Sequence, residues 1–199
     1  MKKTFSYVLR LALTLLLITA AMAAALAGVN KLTANRIAAA KKEKTDRAIA
    51  EVIELPEQAE LEEVPFVDET GMVKKVYRPT ISASSGMTSL MMYAVEVTPS
   101  GFDGEITMMV GVDAEGKVSG ISIISHTETA GLGAVAAADN AAGKAFRNQF
   151  VGMSGQLAVT KDGGDVDAIT GATVTSRAVC NGINAALACV HQIQQEVQP

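Results

Sequence analysis

The stretch "DAITGATVTS", residues 167–176, sets a Gly-Ala pair between two threonines, with an Asp upstream and an apolar repeat downstream. The repeat is Val179, Ile183, Leu187, Val190 and Ile193, at spacings of three and four. It predicts a helix from Thr175 or Ser176 to Gln195 with one apolar face. Gly171 permits a sharp turn ahead of that helix. Two readings of the hydroxyls are open. Thr170, Thr173, Thr175 and Ser176 can cap the first turn. Alternatively, the free N–H groups and the positive end of the helix dipole hold a phosphate, and one hydroxyl is its attachment point.

Upstream, three apolar runs read as strands: "LMMYAVEVT" (90–98), "EITMMVGV" (105–112) and "KVSGISIISH" (117–126). "GFDG" and "DAEG" supply turns between them, so the strands pair as antiparallel hairpins. Val118, Ile121 and Ile123 share a face if the register breaks once near Gly120. "DNAAGKAFRNQF" (139–150) predicts a helix, and "LAVT" and "DVDAI" predict short strands on either side of "KDGG". "SASSGMTS" (82–89) reads as a small-residue loop. The expected class is α+β, a mainly antiparallel sheet with flanking helices, in a domain spanning residues 67–199.

After the third run comes "HTETAGLG", residues 126–133. It is either a polar turn with glycines at positive φ or a loop whose backbone approaches a flat ligand. "GLGAVA" (131–136) fits the loose dinucleotide fingerprint, but the strand before it is half of a hairpin, and no βαβ unit follows. His126 reads as a structural residue with its hydrogen bonds satisfied. The chain has no Walker sequence, no nucleophile elbow and no metal-binding His pair, which sets aside the corresponding chemistries.

The N-terminus is organised differently. Leu11–Val29 carries no charge over about the 20 residues that a membrane-spanning helix needs. The rival reading is a cleaved signal peptide, with Lys2, Lys3 and Arg10 as its basic region. Basic residues flank both sides of the span. Their count keeps the downstream side in the cytoplasm, whereas the signal-like order points to export. Residues 1–10 form a basic segment, 11–29 an anchor, and 30–66 a helical stalk over 33–53 followed by an acidic linker. The net charge of -4 and the absence of Trp among 199 residues argue against nucleic-acid binding. Cys180 and Cys189 lie on opposite sides of the last helix at about 100° per residue, so they read as buried apolar residues without a disulfide.

"DAITGAT" resembles the D-x-x-[ST]-G-A-T signature of covalently flavinylated FMN-binding domains, and "HTETAGLG" resembles that family's H-x-E-T-P-G-L-G element, with Ala130 in place of Pro. The substitution removes a rigid turn but no functional group. "GFDGEI" and "TSRAVCNGINAAL" are also similar to family segments. With the anchor, the order resembles the membrane-anchored flavoprotein branch of Rnf-type ion-translocating oxidoreductase complexes. The resemblance implies FMN joined through its phosphate to Thr173 by a separate flavin transferase that uses FAD. It also implies Asp167, Thr170, Gly171 and Ala172 in the signature, and Glu128, Thr129, Gly131, Leu132 and Gly133 bordering the flavin. It further implies a flavin relay on the extracytoplasmic face of the membrane, assembled with other subunits that pass electrons between ferredoxin and NAD. Two alternatives are a stand-alone membrane-tethered flavin reductase and a flavin-free binding or assembly module.

Overall fold

The structure is a computed structural model that describes residues 2–55, 59–81 and 92–197. Helix α1, Lys2–Val52, is followed by strands β1 (Ala59–Glu63), β2 (Val73–Ile81), β3 (Tyr93–Val97), β4 (Thr107–Val112) and β5 (Val118–Ser125), then by helices α2 (Ala141–Asn148) and α3 (Thr173–Val197). The chain forms two compact units, Met1–Glu43 and Lys44–Pro199. The first is helix alone. The helix is long and apolar enough to cross a membrane, with an 18-residue window of mean hydropathy 2.2 that is 0% buried.

In the second unit the five strands form one sheet in the order β1-β2-β3-β4-β5, every neighbour antiparallel. The expected class holds, and so do the three predicted strands within their described residues. The loop expected at 82–89 and the first two residues of the first predicted strand lie outside the described residues. β1 and β2 are strands that the sequence pattern did not signal. The acidic run that reads as a linker is edge strand β1, its charges turned to solvent. Glu62 pairs with Arg78 and Glu63 with Lys75, each at 3.0 Å. Such exposed pairs add little stability, but charge on an edge discourages pairing with another sheet. β2 hides its period because a bulge between Val73 and Lys75 shifts the alternation, so that Val73 and Val76 both turn inward.

β3 is buried at all five positions because the sheet is covered on both faces. Tyr93, Val95, Val97, Met108, Val110 and Val112 face α3 and meet its buried Val179, Ile183, Val190 and Ile193. Ala94 and Met109 face the other way, against Ala48, Ile49, Val52 and Ile53. The last turns of α1, read as a solvated stalk, therefore belong to the core of the domain. They approach the sheet closely. The Ser119 hydroxyl donates to the Val52 carbonyl at 2.5 Å and the Ser122 hydroxyl to Glu51 at 2.6 Å. A side chain at Gly111 would strike the Val52 carbonyl. The pairing of β4 with β5 shifts next to Gly111 and Gly120, where the sequence requires a break.

"LAVT" and "DVDAI" make no strands. They meet only in one parallel bridge, Val159 to Val166, and between them a short helical turn over Thr160–Asp162 and Gly163 at φ +87° loop the chain round. α2 begins on Asn140, whose side chain accepts from Gly143 N–H at 2.9 Å. Cys180 and Cys189 are both buried, 2% and 3% exposed, and burial pushes each thiol up to about 11.

If α1 ends inside the core, Ile49→Ala removes fully buried methyl groups and lowers stability by about 2–4 kcal/mol. Ile37→Ala, at an exposed position, leaves it within about 0.5 kcal/mol. Unfolding of the detergent-solubilised chain measures both. Equal effects would show that the end of α1 is a free stalk.

Candidate flavin site

α3 begins at Thr173, two residues before the earliest predicted start. Gly171, at φ +76°, makes the turn, and the Ala172 carbonyl accepts the first helical bond from Ser176 N–H at 3.0 Å. Ala172 is thus the N-cap residue, and it has no side chain to cap with. The hydroxyls that the sequence offers as caps are used elsewhere. Ser176 donates to the Ala172 carbonyl and accepts from Ile169 N–H, both at 3.0 Å, which fixes the 169–172 turn. Thr175 is buried and donates to Glu128. Thr170 is exposed. Among the described residues, no side chain accepts from the N–H groups of Thr173, Val174 or Thr175. The head of α3 keeps its partial positive charge facing outward.

Glu128 organises the surroundings. It is 7% exposed and accepts three hydrogen bonds: from Phe102 N–H at 2.8 Å, from Asp103 N–H at 3.1 Å, and from the Thr175 hydroxyl. Burial pushes its carboxyl up. The bonds from Thr175, Asp103 and Phe102 and the attraction of His126 outweigh burial and hold it below its ordinary value. One side chain thereby ties the 101–104 turn, the loop after β5 and the first turn of α3 together. Thr127 adds a bond from its hydroxyl to the Asp103 carbonyl at 2.7 Å. Gly133 makes room for this junction. A Cβ there would lie 2.5 Å from Thr175 Oγ1 and would also overlap a Glu128 carboxylate oxygen. His126 departs from expectation, since its Nδ1 is buried with no hydrogen-bond partner.

These elements enclose a cavity of about 290 Å³. Glu128, Thr129, Leu132, Gly133, Gly171, Ala172 and Thr173 line it, so the fold brings the two separated motifs into one wall. Gly131, Asp167 and Thr170 are not in that wall. Gly131, at φ +78°, shapes the turn closed by Leu132 N–H and Ala134 N–H onto the Thr129 carbonyl, both at 3.2 Å. Asp167 binds Gln149 through its backbone, N–H to Oε1 at 2.8 Å and carbonyl to Nε2 at 3.3 Å. Three lining residues were not expected, Phe102, Lys161 and Val174, and Thr175, one of the hydroxyls at the predicted helix start, completes the wall. Lys161 places its ammonium 3.3 Å from the Thr173 hydroxyl. Its position in "KDGG" resembles an ordinary turn, and nothing local marks it. A larger cleft, about 490 Å³, is lined by Glu115, Asn184 and His191 among others and holds none of the motif residues.

The walls suit a phosphorylated aromatic ligand. Leu132, Ala172, Val174 and Phe102 give apolar area, while Lys161 and the free N–H groups of α3 give an anion its partners.

Residues 101–188 match the model of the FMN-binding domain family, and residues 1–52 match the RnfG N-terminal region. The chain is 37% identical over 190 residues to the G subunit of the Na(+)-translocating ferredoxin:NAD(+) oxidoreductase complex of Acetobacterium woodii, covering 89% of this chain and 88% of the relative. It is 31% identical to the G subunit of the ion-translocating oxidoreductase complex of Methanosarcina acetivorans, over 87% of this chain and 89% of that one. A proton-translocating counterpart from Clostridium ljungdahlii is 41% identical, over 48% and 51%. The chain belongs to the G-subunit family of ion-translocating oxidoreductase complexes. The match to the family's N-terminal region ends at Val52, the last residue of α1. The match to the FMN-binding domain starts at the 101–104 turn and takes in every residue that lines the cavity.

Glu128→Gln keeps the shape of the junction and removes its charge. The folded carboxyl sits below its ordinary value of 4.5, so its stabilisation is complete above 4.5 and is lost as pH falls through the lower folded value. The variant is expected to be less stable at pH 7 by about 2 kcal/mol, with a flatter loss of stability in acid. Melting curves against pH measure this, and superimposable profiles would show that Glu128 ties nothing together. Gly133→Ala is expected to be at least as damaging.

Proposed function

We propose that the chain is the flavin-bearing, membrane-anchored electron-transfer subunit of an ion-translocating ferredoxin:NAD oxidoreductase, with FMN joined to Thr173 by a phosphoester. The observation that carries the proposal is the position of Thr173. It is the first residue of α3, in the wall of the cavity, with a lysine at its hydroxyl and uncapped N–H groups behind it. A phosphodiester retains one negative charge, and a helix N-terminus with a lysine beside it favours such a charge. Thr175 is committed to Glu128, and Thr170 is exposed outside the wall, so neither competes as the acceptor.

Bound FMN would supply the electron-carrying chemistry. The residues of this chain hold and shield it. Leu132, Val174 and Phe102 offer apolar contact, Thr129 and the backbone at Gly133 offer polar contact, and the Glu128 junction keeps these walls in register. Asp167 and Thr170 stand exposed, where a flavin transferase can reach the signature before the cofactor is in place. A relay needs no acid–base pair, in keeping with a site built of packing and charge.

The apolar part of α1 anchors the protein beside its membrane partners, as residues 11–29, with 1–10 as a basic flank. The signal-like order of the N-terminus supports an extracytoplasmic domain, the side on which a separate flavin transferase would act.

Thr173→Ala is expected to abolish covalent flavin while leaving the melting temperature within about 2 °C, since the residue is half-buried and caps nothing. Intact mass and in-gel flavin fluorescence after co-expression with a flavin transferase measure this. An adduct on Thr170 or Thr175 would overturn the assignment. Protease protection in intact cells reads the side of the membrane, and a protected domain would place it in the cytoplasm.

A further inference from the structure

We propose that Lys161 is the positioning residue for the phosphate at Thr173. Its ammonium would pair with the anionic oxygen of the phosphodiester and fix the cofactor's attachment point against the head of α3. This rests on the reading of Thr173 as the acceptor.

Three observations carry it. Lys161 Nζ lies 3.3 Å from Thr173 Oγ1, and the two residues line the same cavity. A group attached to that oxygen is therefore within reach of the ammonium. Next, the competing carboxylate is already taken. Asp162, the neighbour of Lys161, is gripped by the guanidinium of Arg177, with Nε to Oδ2 at 2.6 Å and Nη2 to Oδ1 at 2.7 Å. This fork joins the Thr160–Asp162 turn to the second turn of α3, so the ammonium is delivered to the site by a fixed support. Glu128, the carboxylate in the cavity wall, is occupied by its three donors. Lastly, Lys161 makes no ion pair among the described residues, so its charge is available to an incoming anion.

The geometry also separates two roles that a lysine near an acceptor hydroxyl could have. An ammonium cannot accept the proton from Thr173, so Lys161 is no general base in its charged form. Its contribution is to the charge on phosphorus-bound oxygen. In attachment, the Thr173 Oγ1–phosphorus bond forms and the pyrophosphate bond of FAD breaks. AMP departs with the bridging oxygen, and the hydroxyl proton goes to the transferase or to solvent. Lys161 favours this outcome by pairing with the non-bridging oxygens that persist in the product.

The test uses the full-length protein, purified flavin transferase and FAD, with Thr173→Ala as the reference for the acceptor. Lys161→Gln is expected to slow the appearance of the adduct in intact mass by about ten- to a hundredfold, the range for losing a hydrogen bond to a charged group. Lys161→Arg should recover most of the rate. Thermal melting of the unloaded variants should be unchanged, because Lys161 is exposed. In the loaded protein, the phosphorus NMR resonance should move in Lys161→Gln and stay in place in Lys144→Gln, a change at an exposed position of α2. A wild-type rate in Lys161→Gln, with none in Thr173→Ala, would overturn the role of Lys161 and leave the acceptor standing. A slowed rate with an unmoved resonance would also overturn it, assigning the lysine to docking of the transferase. Adduct in Thr173→Ala would overturn the acceptor itself.

Discussion

A buried carboxylate must find donors, and Glu128 finds all of its donors on other segments. Two are backbone N–H groups of the 101–104 turn and one is the hydroxyl of Thr175 on α3. The cavity exists because these three segments are held apart at a set distance, and the carboxylate sets it. An acceptor-only group suits this task, since an ionised carboxylate can receive several bonds at once and offers no donor that would need satisfying. Gly133 completes the arrangement by omission, because any side chain there would displace the carboxylate from α3.

The same economy explains the head of α3. A helix start ordinarily recruits a serine, threonine or aspartate to accept from its first N–H groups. Here the segment is rich in hydroxyls, yet the residue at the capping position is Ala172, and the hydroxyls of Thr175 and Ser176 are spent on Glu128 and on the preceding turn. The uncapped N–H groups, the ammonium of Lys161 and the hydroxyl of Thr173 therefore meet at the cavity. Leaving these N–H groups to water forgoes the roughly 1 kcal/mol of a side-chain cap, and a bound anion would make use of them instead.

Much of this was legible in the sequence. The two motifs carry most of the cavity wall in short, contiguous runs, and the apolar spacing of α3 and of β3 to β5 follows directly from which faces are covered. What was not legible has physical causes. β2 escapes because its bulge breaks the period-two pattern, and β1 because its charged residues sit on a sheet edge, where solvent accepts them. The end of α1 mixes small apolar residues with Lys44, Arg47 and Glu51, which resembles a solvated helix. Only the sheet face beneath Ala48, Ile49 and Val52 reveals its burial. Lys161 reaches Thr173 from a tight loop that no local pattern announces, and Phe102 reaches the cavity through a bond to Glu128 formed far along the chain. Placement by tertiary contact is invisible to a reading of neighbours.

The buried cysteines have a consequence for a domain that handles electrons. Thiol reactivity requires the thiolate, and with each thiol raised to about 11 almost none is present at neutral pH. Cys180 and Cys189 project from opposite sides of α3 into packed surroundings, so neither can reach the other or an external oxidant without unfolding the helix from the sheet. The protein's own sulfur is thereby insulated from the traffic passing through the cofactor, and the fold keeps the same covalent structure in an oxidising or a reducing compartment.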